Sequence, residues 1–318
     1  MRPTLRNTQN SLNQIDLGAF PSLGIWIRAA RLRTLPLSVS GIVIGAALAL
    51  DTLVFDWLIF ILAILTTVSY QVLSNFANDY GDGVKGTDNK DRLGPERGLQ
   101  SGEIDPKKMR TAIWITSAIA LCLTVLLVYI SFRTDLEKIS FFLGLGGLAI
   151  AAAIFYTIGS KAYGYKGLGD VFVFVFFGLV SVMGSYYLFS KSVDVLVLLP
   201  ASAVGFLSVA VLNLNNMRDV SNDQNFGKNT LAVQLGTQKA NAYHAFLIVT
   251  PLLTTLLYAY LSGNMYANFI VLILLFPLLT HLKRVWGRSS EKDLDAELKK
   301  IALTTFFYAC LLSVAINL

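Results

Sequence analysis

Long uncharged runs alternate with polar breaks along almost the whole chain. The apolar runs fall at about 35–50, 57–78, 111–132, 139–158, 171–190, 194–214, 241–261, 265–282 and 301–317. A helix of roughly 20 apolar residues spans the hydrocarbon core of a bilayer. The pattern therefore predicts an all-α integral membrane protein, with about nine transmembrane helices in one bundle and the lipid bilayer as its surroundings. The breaks alternate too. Those near 51–56, 133–138, 191–194 and 262–264 are short, and the ones between them are long and polar.

Composition agrees. Hydrophobic residues make up 54% of the 318, charged residues only 14%, and the mean hydropathy is +0.59. Soluble domains carry about 25% charged residues. Residues 1–24 are polar and mixed, with no apolar stretch before a small-residue cleavage site, and read as a cytoplasmic tail ahead of one membrane domain over 25–318. The tail and the long loops hold 23 of the 26 Lys and Arg residues, and the short connectors hold only Arg133, Lys138 and Lys191. Positive charge collects on the cytoplasmic side. This orients the chain in the cell (inner) membrane with the N-terminus cytoplasmic and, after nine spans, the C-terminus outside. The net charge of +6 is then a topology signal and implies no nucleic-acid partner. Cys122 and Cys310 lie in apolar runs, and His244 and His281 are isolated, so neither a disulfide, a histidine metal site nor a Ser-His-Asp arrangement is supported.

Two stretches break the apolar pattern with chemistry. Asn75, Asn78, Asp79 and Asp82 are spaced i, i+3, i+4, i+7 and share one helical face at the end of the second run. A glycine-rich loop with Lys85, Lys90, Arg92 and Arg97 follows. Asn216, Asp219 and Asp223 repeat the arrangement after the sixth run, with Asn213 one turn earlier and Arg218 and Lys228 as the cations. Carboxylates bind hard cations such as Mg²⁺, which shares its shell with phosphates. Two such clusters facing one another suit a diphosphate with Mg²⁺. The plainer reading of either alone is a solvated helix end. The active site is expected at the cytoplasmic face.

N-D-x-x-D after one apolar helix and D-x-x-x-D after a later one resemble the UbiA superfamily of intramembrane prenyltransferases. Within it, N-D-Y-G-D-G-V-K-G-T-D, R-L-G-P-E-R-G and G-K-N-T-L-A-V-Q-L-G resemble the enzymes that act on 1,4-dihydroxy-2-naphthoate in menaquinone synthesis. The resemblance runs from about Arg31 onward. It implies Mg²⁺-dependent transfer of a polyprenyl group from a polyprenyl diphosphate to 1,4-dihydroxy-2-naphthoate, with decarboxylation, giving demethylmenaquinone. Other aromatic acceptors known to the superfamily are 4-hydroxybenzoate, homogentisate and porphyrins. On this reading Asp79, Asp82, Asp219 and Asp223 bind metal, together with Asp88 or Asp91. Asn75, Asn78, Lys85, Arg97, Asn216 and Lys228 contact substrate. The resemblance adds Tyr156 and Lys161, in Y-T-I-G-S-K, as neighbours of the diphosphate; the plainer view makes them an interfacial aromatic and a snorkelling lysine. Asp170 is an acid at the mouth of a span and so a site candidate. Arg28, Arg31 and Arg33 precede the first run and read equally as substrate ligands or topology anchors. Residues 289–300 alternate in charge and read as a solvated helix face. A cation-coupled transporter is the reading from another class, but its sites sit near the bilayer midplane rather than at span ends beside cations.

Overall fold

The computed structural model describes residues 21–50 and 55–318. Most of the expected tail, with Arg2 and Arg6, and most of the connector at 51–56 lie outside the described residues. Nine stretches among the described residues are helical, long and apolar enough to cross a membrane. The chain is an all-α, multi-pass membrane protein.

The helices are α1 (Leu23–Ala30), α2 (Leu35–Leu48), α3 (Trp57–Val84), α4 (Pro106–Phe132) and α5 (Leu136–Phe155). Then come α6 (Gly169–Val173), a π-helical turn (Phe174–Val180) and α7 (Ser181–Ser190), which together form one span. The rest are α8 (Leu198–Arg218), α9 (Val220–Asn225), α10 (Leu231–Ser262), α11 (Tyr266–Trp286) and α12 (Leu294–Ile316).

The helix starts follow capping chemistry. Asp56, Asp105 and Asp135 each accept hydrogen bonds from the backbone N–H groups of the first turn that follows. Pro36 and Pro106 stand in first turns, where a missing N–H costs nothing. The helix α1 was not among the apolar runs. It ends at Arg31, whose backbone is left-handed (φ 51°), and a single 3₁₀ turn at Leu32–Thr34 leads into α2.

Helix α8 is the centre of the bundle. Ala201, Ala203, Val204, Leu207, Ala210 and Leu214 are all enclosed, and α10, α12 and the π turn pack around them. Close approach at the π turn depends on glycine. A Cβ on Gly178 would lie 2.6 Å from the Cα of Gly205 on α8. Small residues let membrane helices pack backbone to backbone in this way. Helix α3 packs against α4 and α5, and α2 against α7 and α12. Both acid-bearing stretches lie at the same end of this bundle, where Lys228 reaches Asp82.

Candidate active site

Helix α3 continues unbroken through the first acid stretch, so Asn75, Asn78, Asp79 and Asp82 do share a face. Gly81 permits this face to approach the neighbouring chain, since a Cβ there would fall 2.3 Å from the Thr157 Oγ1. The loop after α3 folds back over the helix end. The backbone N–H groups of Gly98 and Leu99 donate to the Asp79 carboxylate at 3.0 and 3.2 Å. Arg97 Nη1 donates to Asp82 Oδ2 at 3.0 Å and to Asp88 Oδ2 at 2.7 Å. Tyr165 donates its hydroxyl to Asp82 Oδ1 at 2.9 Å. Arg92 pairs with Asp88 at 3.1 Å. Burial pushes the Asp88 carboxyl up, and Arg97 opposes it.

The second stretch is bent. Helix α8 stops at Arg218, and Asp219 forms the joint with α9, which carries Asp223. Arg218 grips both Asp219 oxygens, from Nε at 3.0 Å and from Nη2 at 2.7 Å. Burial would raise the Asp219 carboxyl, but Arg218 and Arg92 outweigh it and hold it below its ordinary value. Asp223 is buried, and its carboxylate makes no hydrogen bond among the described residues. Burial drives it up to about 7, with Lys228 opposing and Asp219 and Asp82 adding to the rise.

The two stretches meet. Lys228, from the loop after α9, donates to Asp82 Oδ2 at 3.0 Å, and Asn222 Nδ2 donates to the Thr87 carbonyl at 2.8 Å. Burial alone would lower the Lys228 ammonium, but Asp82 and Asp223 raise it instead. Lys85 lies over the Tyr165 ring, 3.9 Å from its centroid.

Below this polar junction lies a cavity of about 710 Å³. Asn75, Asn78, Asp79, Asp82, Arg97, Lys228, Tyr156 and Arg33 all line it. Its deeper walls are apolar, among them Leu127, Phe142, Leu145, Phe172, Phe176 and Leu188. Asn78 and Asp82 are thus at the polar head of a greasy slot.

Other expected residues stand apart. Lys161 is exposed and does not line the cavity. Asp170 is buried and accepts from the Tyr243 hydroxyl at 3.0 Å. Asn216 is buried outside the cavity wall, which its neighbour Asn215 joins instead. Asn213 faces α10, toward His244. Asp88, Asp219 and Asp223 sit behind the lining as a second rank, whereas Asp91 is exposed.

Arg31, one of the three arginines that precede the first apolar run, is brought to the site together with Arg28 and Arg33. It lines the cavity, and its Nη2 has no hydrogen-bond partner among the described residues. The left-handed turn at its own α-carbon carries it there, and Asn75 secures that turn by donating to the Ala30 carbonyl at 2.8 Å. A basic residue just before the first long apolar run was the available signal.

The carboxylates are all-oxygen donors of the kind Mg²⁺ prefers, and the unpartnered Asp223 has coordination capacity to spare. Among the described residues, no three acidic or histidine side chains converge on one point. The reason is visible in the contacts: Arg97, Lys228 and Arg218 each hold a carboxylate that an ion would share.

Residues 38–311 match the model of the UbiA prenyltransferase family. The chain is 47% identical over 234 residues to 1,4-dihydroxy-2-naphthoate octaprenyltransferase of Escherichia coli (strain K12), covering 73% of this chain and 75% of that protein. It is 40% identical over 296 residues to the protein of the same name from Haemophilus influenzae, covering 92% and 96%. The fold also matches a UbiA homolog from Archaeoglobus fulgidus solved bound to DMAPP and Mg²⁺. The TM-score is 0.66 at 13% identity, over 92% of this chain and 99% of that one. An apo UbiA homolog from Aeropyrum pernix K1 gives 0.66 at 17%, over 90% and 98%. At such identities the solved structures speak for the fold alone.

Proposed function

The chain belongs to the UbiA prenyltransferase family and is a prenyltransferase, and we propose that it transfers a polyprenyl group from a polyprenyl diphosphate to 1,4-dihydroxy-2-naphthoate, with loss of CO₂ and diphosphate, giving demethylmenaquinone in its reduced, quinol form. The carrying observation is the ion pair of Lys228 with Asp82 at the head of an apolar cavity, which joins a phosphate-binding end to a hydrocarbon slot. The names of the two bacterial relatives support the naphthoate acceptor.

The chemistry divides among the residues by position. Arg97 and Lys228 bind the diphosphate oxygens and neutralise charge as the C–O bond ionises. Asp79, Asp82, Asp88, Asp219 and Asp223 would hold Mg²⁺, which supplies further charge neutralisation on the leaving diphosphate. Apolar walls such as Phe172 and Phe176 bind the prenyl chain and exclude water from the allylic cation. Arg31 offers its unpaired Nη2 to the carboxylate of the acceptor. The Tyr156 hydroxyl is kept protonated, since burial pushes its pKa up, and lies along the cavity wall for the acceptor ring. Asn75 and Asn78 brace this face of α3, Lys85 guards the loop side, and Arg33 stands at the entrance. The bias of Lys and Arg puts this end of the bundle at the cytoplasmic face of the cell (inner) membrane.

The test is diphosphate release by membranes containing the protein, given a polyprenyl diphosphate and either 1,4-dihydroxy-2-naphthoate, 4-hydroxybenzoate, homogentisate or a porphyrin. Release is expected with the naphthoate and Mg²⁺, and is expected to stop with EDTA. Faster release with another acceptor would reassign the substrate. No release with any acceptor would reject the reading.

A further inference from the structure

Asp295 and Arg218 are 77 positions apart, yet Arg218 Nη1 donates to Asp295 Oδ1 at 2.6 Å. Asp295 lies on the first turn of α12, within the stretch whose alternating charge predicts a solvated face. The outer side of that turn does carry exposed Lys292, Lys299 and Lys300. Asp295, with 39% of its side chain exposed, and the buried Glu297 turn toward the bundle instead.

Arg218 is enclosed on all sides and spends its donors on three partners. Two go to the Asp219 carboxylate, one to Asp295, and Nη2 also reaches Asn215 Oδ1 at 2.7 Å. Glu297 begins a second connection. His281 Nδ1 is 2.8 Å from Glu297 Oε2, the Nε2 atoms of His281 and His244 are 2.8 Å apart, and His244 Nδ1 is 3.4 Å from Asn213 Nδ2. With an ionised Glu297 accepting, the protons are fixed in order: Asn213 donates to His244, His244 to His281, and His281 to Glu297. The first turn of α12 thus holds the end of α8 at two places, at Arg218 and, through two imidazoles, at Asn213.

We propose that Asp295 is a positioning residue for the reaction: by fixing Arg218, it sets the direction in which Asp219 presents its carboxylate. Arg92 approaches the same Asp219 oxygen at 3.5 Å. Without Asp295, the Arg218 guanidinium loses its outer anchor, and Asp219 is free to rotate toward that loop cation. The proposal rests on the reading that Asp219 acts on a prenyl diphosphate with Mg²⁺. A plain helix tie at Asp295 would change stability alone.

The experiment compares Asp295→Asn, Asp295→Glu and Glu291→Gln in purified full-length protein. Glu291 is on the preceding turn, and its side chain makes no hydrogen bond or ion pair among the described residues. Asp295→Asn is expected to lower kcat about 10- to 100-fold, the scale of outer-shell changes around metal ligands, while KM for prenyl diphosphate stays near wild type. Mn²⁺ binding in the presence of an unreactive prenyl thiodiphosphate, followed by electron paramagnetic resonance, is expected to weaken in parallel. Asp295→Glu should recover most of both, and Glu291→Gln should behave as wild type. Unchanged kcat and Mn²⁺ affinity in Asp295→Asn overturn the role. So does a loss that follows thermal stability and that Asp295→Glu does not recover. An inactive wild-type protein rejects the functional reading instead, and active wild type with fully active Asp295→Asn rejects this inference alone.

Discussion

Lys228 and Asp82 are 146 positions apart and are joined at 3.0 Å, Nζ to Oδ2. Both are buried, so removing the Asp82 carboxylate would leave the Lys228 ammonium without an ion-pair partner among the described residues. Arg97 shares the same Asp82 oxygen. One carboxylate thus gathers a cation from each acid stretch, and a diphosphate entering the cavity meets both.

The two cations are not equivalent. Arg97 contacts Asp82, Asp88 and, at 3.4 Å, the Asn78 carbonyl through Nη1 alone, which leaves Nε and Nη2 for a diphosphate, donors that a lysine ammonium spent on the same carboxylates would lack. Arg97→Lys should lower kcat/KM by about 10- to 100-fold, the scale of one charge-assisted contact. Lys228→Arg should be milder, because it keeps a donor for Asp82. Steady-state kinetics with prenyl diphosphate varied measures both, and equal losses would count against the distinction.

Asp88 and Asp91 left the first motif open in the sequence, and their surroundings separate them. Asp88 is buried between Arg92 and Arg97, whereas Asp91 is exposed. Asp88→Ala takes a carboxylate from two buried guanidinium groups and leaves Arg97 with Asp82 and Arg92 with Asp219 only, so activity should fall by about 10- to 100-fold. Asp91→Ala should remain near wild type. A side-by-side assay in membranes decides it.

Asp223 gives the apo protein a pH signature. Its folded carboxyl titrates at about 7, above the ordinary carboxyl range. A raised pKa favours the protonated folded state, so this contribution to stability is complete below about pH 4 and is lost as pH rises to 7. In EDTA, wild-type thermal stability should therefore decline between those values more than that of Asp223→Asn. Parallel melting curves for the two proteins across the range would contradict the assignment.

Sidedness is the remaining expectation. Single cysteines at positions 90 and 225 fall on exposed residues of the polar-loop end. Both should be labelled from the cytoplasm, and a reporter at 318 should read outside. A site at 90 that labels from outside would reverse the orientation.

The first acid stretch was legible because it lies inside one helix, where spacing alone decides which residues share a face. The second was legible only in part. The joint at Asp219 interrupts the helical period, so Asp223 on α9 does not continue the α8 face, and within α8 it is Asn215 rather than Asn216 that reaches the cavity. Lys161 looked equivalent to Tyr156 in the sequence, but the turn after α5 directs the tyrosine inward and leaves the lysine exposed. Arg31 is one of three arginines before the first run with nothing in the spacing to choose among them, and Asp295 lies in a stretch that reads as a solvated face. One is placed by a left-handed backbone turn, the other by a helix that meets the site from 77 positions away. The count of spans needed only hydropathy, since the bilayer imposes that pattern on each segment independently.

The wide turn at Phe174–Val180 has a consequence for sequence length. A π turn holds one residue more than an α turn, and each residue of an α-helix rotates the chain by about 100°. Deleting a single residue there would return the span to α spacing and swing α7 around its axis. Ser185, which now donates to the Gly41 carbonyl at 3.2 Å, would leave α2, and Leu188 would leave the cavity. The wall of the slot and the seam with α2 are therefore keyed to the same extra residue. This span can exchange side chains one at a time, but it cannot change its residue count without re-indexing half of itself.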